Sequence, residues 1–275
     1  MVKRVLTGVV AFVIMIPFII FSDYILAPGL GLCAAIAVWE VLHCVGLHKN
    51  VWLSLPLYPM ALATPMLLHW QGAARMMPIA LMMCFLMVLY VFGVCVFSKG
   101  HVKITEACTA LMVSTYAIVG ITAIMLLHDI DRGGKYVYLL VFVGAWFTDI
   151  FAYFTGRFLG RHKLIPDVSP KKTVEGSIGG MIFCALGFVG YAAIYNLWLM
   201  PEGGQTISYV LIALVGLVAS VVSQIGDLSM SVLKRHYGIK DFGYIFPGHG
   251  GILDRFDSVI AVSILLAAAF SVLPV

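Results

Sequence analysis

The sequence is dominated by runs of roughly 20 consecutive, mostly apolar residues, the length a helix needs to cross the hydrocarbon of a bilayer. Nine such runs are present, at about 5–22, 25–46, 51–69, 77–97, 107–127, 136–155, 176–199, 207–226 and 256–273. Composition makes the same point. Of 275 residues, 62% are hydrophobic and only 11% charged, and the mean hydropathy is +1.03. A soluble domain carries about 25% charged residues and could not keep this much apolar surface out of water. A water-soluble globular enzyme, a nucleic-acid-binding domain and a disordered chain are excluded. What remains is an all-α, polytopic integral membrane protein of about nine transmembrane helices.

Two runs need comment. The first follows Lys3 and Arg4 but is too long for a signal peptide, and no small-residue cleavage pattern precedes Ser22, so it is read as a span. The third contains Pro56, Pro59 and Pro65 and is expected to be kinked or broken. The charges fix the expected orientation. With the N-terminus in the cytoplasm and the C-terminus outside, 14 of the 17 basic residues face the cytoplasm and only Arg75, Arg132 and Lys135 do not, as the positive-inside bias requires. The six cysteines lie within the runs, without ligand or redox spacing, and read as small apolar residues buried in the membrane. No repeat or linker divides the chain. Residues 1–135 are expected to serve packing, lipid access and dimerisation, and 136–275 to carry a catalytic site.

The polar residues gather in two places. The first is Asp149, Tyr153 and Gly156, which share a helix face at i, i+4 and i+7, followed by Ser169-Pro170-Lys171-Lys172-Thr173-Val-Glu175-Gly176. An acid in a span is costly and normally faces a partner or a wet cavity. An ion pair with Arg157 that only stabilises the bundle is the alternative. Thr173 is placed to cap the seventh helix, with Glu175 in its first turn, and a helix N-terminus beside lysines attracts anions. Gly176 and Gly180 form a G-x-x-x-G that close helix packing explains.

The second cluster is denser. If the eighth helix extends beyond the membrane, Asp227, Ser231 and Lys234 share one face, followed by Arg235, Lys240 and Asp241. Pro247-Gly248-His249-Gly250-Gly251 and Asp254-Arg255-Phe-Asp257-Ser258 complete it. Carboxylates and hydroxyls are the ligands Mg²⁺ prefers, usually together with substrate phosphates. Glycines let backbone N–H groups approach an anion, and lysines and arginines supply further phosphate charge. Such a set at one membrane face describes a site for a metal–nucleotide complex. Glu40 and His43, one turn apart in the second run, are either a buried polar pair or a functional site, and His249 alone could be a turn residue.

The run Ser231, Lys234-Arg235, Lys240-Asp241, Pro247-Gly-His-Gly-Gly251, Asp254-Arg255-Phe-Asp257 resembles the C-terminal signature of the phosphatidate cytidylyltransferase (CDP-diacylglycerol synthase) family at every fixed position. The Ser169–Gly176 segment and Gly226-Asp227 also match. The resemblance implies cytidylyl transfer from CTP to phosphatidate, giving CDP-diacylglycerol and pyrophosphate. It also implies Mg²⁺, a second, monovalent cation such as K⁺, a homodimer and residence in a bacterial inner membrane with the site facing the cytoplasm. Asp227 and Asp254 become metal ligands, joined by Asp257. Lys234, Arg235, Lys240 and Asp241 are assigned with them to catalysis. Asp149, Ser169, Lys171, Lys172, Ser231, His249, Gly250, Gly251 and Arg255 are assigned to substrate binding. Two other classes stay open. A transporter is motivated by Glu40, Asp149 and the proline-rich run, but predicts polar residues near the midplane of both halves. A polyprenol kinase would use CTP to donate its γ-phosphoryl group. A CDP-alcohol phosphatidyltransferase lacks support because its D-G-x-x-A-R motif is missing.

Overall fold

The computed structural model describes residues 16–130, 134–200, 206–245 and 250–272. Among them, eight helices are long and apolar enough to cross a membrane. They are α1 (Ser22–Cys44), α2 (Val51–Gln71), α3 (Ala73–Phe97), α4 (Ile104–His128), α5 (Leu139–Phe158), α6 (Val174–Ile194), α7 (Tyr209–His236) and α8 (Leu253–Val272). Their lengths of 20 to 28 residues correspond to about 30–42 Å at 1.5 Å per residue, enough for a hydrocarbon layer of about 30 Å. The chain is an integral membrane protein with an all-α architecture. Eight of the nine expected spans are helices here. The other falls mostly on residues before 16, outside the described residues, although 16–20 are helical.

The helices form two compact units. One contains the described residues up to Leu126 together with Tyr237–Arg255; the other contains Leu127–His236 and the residues from Phe256 onward. Helix α8 therefore begins in the first unit and continues in the second.

In the first unit, α1 and α2 pack backbone to backbone, and a Cβ on Gly31 would strike the carbonyl of Leu62. Asn50 caps α2 by accepting the Leu53 N–H at 3.3 Å. Of the expected kink or break in this span, the break does not occur: α2 runs as one helix through Pro56, Pro59 and Pro65. Each proline removes an N–H and leaves a carbonyl four residues earlier without its helical partner. For Pro56 that carbonyl belongs to Trp52, and the Tyr90 hydroxyl of α3 donates to it at 2.7 Å. A neighbouring helix thus supplies what the proline withholds, as the absence of water in a membrane demands.

The second unit is built on glycines. Added Cβ atoms would meet the Ala152 carbonyl at 2.6 Å from Gly176, the Thr148 carbonyl at 3.0 Å from Gly180, and the Thr155 side chain from Gly179. The G-x-x-x-G face of α6 accordingly lies directly on α5. Thr173 caps α6 as expected, accepting the Gly176 N–H at 3.1 Å. Between α5 and α6 the chain adds what the sequence pattern did not reveal, an antiparallel hairpin of β1 (Lys163–Ile165) and β2 (Ser169–Thr173). Glu175 ties it down by accepting the N–H groups of Arg161 and His162 at 3.1 and 3.2 Å and meeting His162 Nδ1 at 2.6 Å.

All six cysteines are free and on helices, but only Cys184 is buried within the protein; Cys84 and Cys108 face outward. Outward faces of apolar helices in a bilayer meet lipid rather than protein, which is compatible with reading these two as small apolar residues in the membrane.

Glycines 176 and 190 should respond oppositely to the same change. Gly176→Ala places a methyl group on the Ala152 carbonyl and should destabilise by about 1–3 kcal/mol. Gly190, with open space around it, should tolerate alanine or gain up to ~1 kcal/mol of helix propensity. Thermal unfolding of the two variants in detergent measures both.

Candidate active site

The charged residues singled out in the sequence fall into two groups, one in each unit. In the second unit, the tail of α7 reaches His236, ten residues beyond the apolar run, so Asp227, Ser231 and Lys234 do lie on one helix at i, i+4 and i+7. Lys172, at the end of the hairpin, forms an ion pair with Asp227. Lys234 and Asp257 are both buried, at 9% and 8% exposure. The charged groups acting on Asp257 are the carboxylates of Asp227 and Asp149 and the ammonium of Lys234, and its Oδ1 accepts the Ser258 N–H at 2.7 Å. Five of the expected residues, Asp149, Lys172, Asp227, Lys234 and Asp257, are thereby brought together from α5, the hairpin, α7 and α8. Arg157 donates instead to Tyr153, at 2.9 Å.

In the first unit, Asp254 is buried at the start of α8. Its Oδ2 accepts the N–H groups of Phe242 at 2.7 Å and Gly251 at 3.0 Å. Gly250 has a φ of +86°, a conformation that glycine adopts without a steric penalty, and a Cβ there would come within 2.7 Å of the same oxygen. The glycine turn does bring backbone donors onto an anion, but the anion that Gly251 meets is the protein's own carboxylate.

Beside it is the residue whose role the sequence left open. Glu40 of α1 is completely buried, and its two oxygens accept the N–H groups of Ile252 and Leu253 at 2.9 and 2.7 Å. Of the two readings of Glu40 and His43, the buried pair is not formed. His43 is exposed, with Nδ1 3.2 Å from the Trp39 carbonyl, and stacks on His48. A carboxylate in a span costs on the order of 2.5–3.5 kcal/mol. Two hydrogen bonds to a charged acceptor contribute about 1.5–3 kcal/mol each, so the pair of backbone donors offsets that cost where a neighbouring histidine would not need to.

Other expected residues are not drawn in. Lys171, Arg235, Lys240 and Arg255 are exposed, and Ser231 and Asp241 are half-buried. Ser169 opens β2 opposite Ile165. His249 lies outside the described residues. What the sequence did not reveal is the role of Glu40 as a structural partner of this region. Its signal was an acid within an apolar run, but acceptors of backbone N–H groups more than 200 residues away leave no sequence pattern.

The sequence profile of the cytidylyltransferase family matches residues 2–273. The chain belongs to this family. Relatives named phosphatidate cytidylyltransferase align with it along nearly their whole length. The one from Staphylococcus saprophyticus is 35% identical over 268 residues, 96% of both chains. That from Staphylococcus epidermidis is 36% identical over 268 residues, again 96% of both. A Staphylococcus aureus relative is 34% identical over 270 residues with the same coverage.

The two neighbouring lysines of this cytidylyltransferase should separate cleanly. Lys172 is paired with Asp227, whereas Lys171 is exposed. Lys172→Met should lower turnover per folded protein about tenfold or more, the equivalent of one charge-assisted hydrogen bond. Lys171→Met, which removes an exposed cation assigned to substrate binding, should leave kcat within about threefold and act through the KM for substrate instead. Steady-state kinetics on both variants checks this.

Proposed function

We propose that the protein transfers the cytidylyl group of CTP to phosphatidate, forming CDP-diacylglycerol and pyrophosphate for glycerophospholipid synthesis. The observation that carries the proposal is the charge cluster around the buried Asp257, with acids and ammonium groups interleaved, in a chain that matches the cytidylyltransferase family along nearly its full length. The relatives' printed name supports the lipid as acceptor.

The chemistry suits these residues. A phosphate monoester has a second pKa of about 6, so the lipid phosphate is already an anion near neutral pH. Its oxygen attacks the α-phosphorus of CTP, a new P–O bond forms, and the bond to the departing pyrophosphate breaks. The nucleophile needs no strong base. The work left to the protein is to hold two anions together and to favour the charge that develops on the leaving group. Lys172 and Lys234 act as ammonium groups in that role, and Arg235, Lys240 and Arg255 join the assignment through the family resemblance alone. No Ser/His/Asp or Cys/His arrangement is required.

The carboxylates of Asp227 and Asp149 act on Asp257 alongside the ammonium group of Lys234, and carboxylate oxygens are the donor class that a divalent cation prefers. Asp227, Asp254 and Asp257 are given to Mg²⁺ by the family resemblance. When bound, the ion neutralises phosphate charge on the nucleotide and on the pyrophosphate as it leaves. Asp254 keeps its Oδ2 on the glycine turn, so the helix that presents these acids is anchored before any ion binds. A second, monovalent cation such as K⁺, and a homodimer, belong to the proposal through the family resemblance alone.

The site is proposed to face the cytoplasm of a bacterial inner membrane. The positive-inside distribution favours this side, and it is where a nucleotide and an inner-leaflet lipid meet. Substrate binding by Ser169, Lys171, Ser231, His249 and Gly250, and a catalytic part for Asp241, complete the assignment; the Gly251 N–H is already spent on Asp254.

Purified protein in mixed micelles should release pyrophosphate from CTP only when phosphatidate and Mg²⁺ are both supplied. Asp227→Asn should abolish this while leaving the melting temperature in detergent within a few degrees. Full activity in that variant would remove Asp227 from the site, and solute flux in vesicles without CTP turnover would favour a transporter.

A further inference from the structure

Helix α1 is packed along its length by apolar residues, among them Leu30, Ala34, Ala37, Val38, Val41 and Leu42, all buried. Glu40 is the one acid in that face. Both of its oxygens are spent on backbone N–H groups of Ile252 and Leu253, where α8 begins. Space around the carboxylate is kept by two glycines, since a Cβ on Gly243 or Gly251 would collide with it. On the other side of the same turn, Asp254 holds the N–H groups of Phe242 and Gly251. The charge of Asp254 acts on Glu40 and on Cys44, one helical turn further along α1.

Two carboxylates and four backbone donors therefore interlock. One carboxylate comes from α1 and grips the start of α8, and the other comes from α8 and grips the loop that precedes it. A helix N-terminus favours negative charge through its unpaired N–H groups and its dipole. Glu40 is a capping carboxylate supplied by a different helix. We infer that Glu40 is a positioning residue for the reaction: by fixing the first turn of α8 it sets the direction in which Asp254 presents its carboxyl group. This rests on the proposed metal-ligand role of Asp254. Neither the packing of α1 nor the topology requires an acid here, since an apolar residue would fill an apolar helix face. Only the N–H groups of Ile252 and Leu253 require one.

Glutamine tests the point because it keeps the size and removes one acceptor, turning an NH₂ group toward a backbone N–H. In the full-length protein, Glu40→Gln should lower kcat about tenfold or more, the loss of one hydrogen bond to a charged acceptor. KM for CTP and for phosphatidate should stay within about twofold. Two readouts independent of turnover accompany it. Amide hydrogen exchange should accelerate in the segment 250–256 and not in α5–α7. The Mg²⁺ concentration giving half-maximal thermal stabilisation should rise several-fold.

Asp254→Asn is measured alongside. If it is fully active, the metal-ligand reading of Asp254 falls. If it is inactive while Glu40→Gln keeps the parental kcat and Mg²⁺ response, the positioning role of Glu40 alone is overturned. Exchange that accelerates throughout the chain would overturn it as well, since that marks a general packing role. If Glu40→Gln does not fold, Glu40→Asp decides. Its carboxylate is retained but one methylene short, so reduced kcat with KM held supports positioning and an unchanged kcat contradicts it.

Discussion

The start of α8 depends on backbone N–H groups finding carboxylates in a place where water is scarce. Ile252 and Leu253 donate to Glu40, and Phe242 and Gly251 donate to Asp254. Each partner needs the other. Buried acids without donors would be expelled from the membrane or neutralised, and a buried helix start without acceptors would leave its first N–H groups unpaired. The glycines at 243, 250 and 251 follow from this contact, because any side chain would stand where the carboxylates are. The glycines at 250 and 251, which read in sequence as part of a phosphate-binding loop, thus first help to anchor a helix, and that helix carries Asp254 and Asp257 one turn apart.

The second unit solves a different problem, that of holding charge at the edge of an apolar bundle. Glycines on α6 bring α5 and α6 into backbone contact, Thr173 and Glu175 fix the hairpin to the start of α6, and the hairpin delivers Lys172 to Asp227. Close packing is what lets a short loop place an ammonium group reliably. Asp257 and Lys234 are nearly closed off from solvent, so their interactions are less screened than those of surface charges. In the proposed reaction, between two phosphate-bearing anions, fixed charge of this kind would serve in place of an acid–base pair.

Much of this was legible in the sequence, for identifiable reasons. The spans were visible because the bilayer imposes a length and a polarity on each. The packing face of α6 was visible in Gly176 and Gly180, the cap in Thr173, and the shared face of Asp227, Ser231 and Lys234 in a simple helical period. What escaped depends on partners distant in sequence. Glu40 was conspicuous as an acid in an apolar run, but its acceptor role involves main-chain groups, which every residue carries. The three prolines of α2 pointed to a kink or a break; for one of them, Pro56, the Tyr90 hydroxyl that answers Trp52 lies 38 residues away in the sequence. The β1–β2 hairpin has strands of only three and five residues, too short for alternation to register.

The central claim is that the α-phosphorus of CTP is the atom transferred, and a labelling experiment reads it directly. The protein is reconstituted in vesicles containing phosphatidate and supplied with Mg²⁺ and CTP labelled at either the α- or the γ-phosphate. Cytidylyl transfer sends the α label into the lipid and releases the γ label as pyrophosphate. Appearance of the γ label in the lipid, with CDP as the soluble product, would contradict it and identify a CTP-dependent lipid kinase instead.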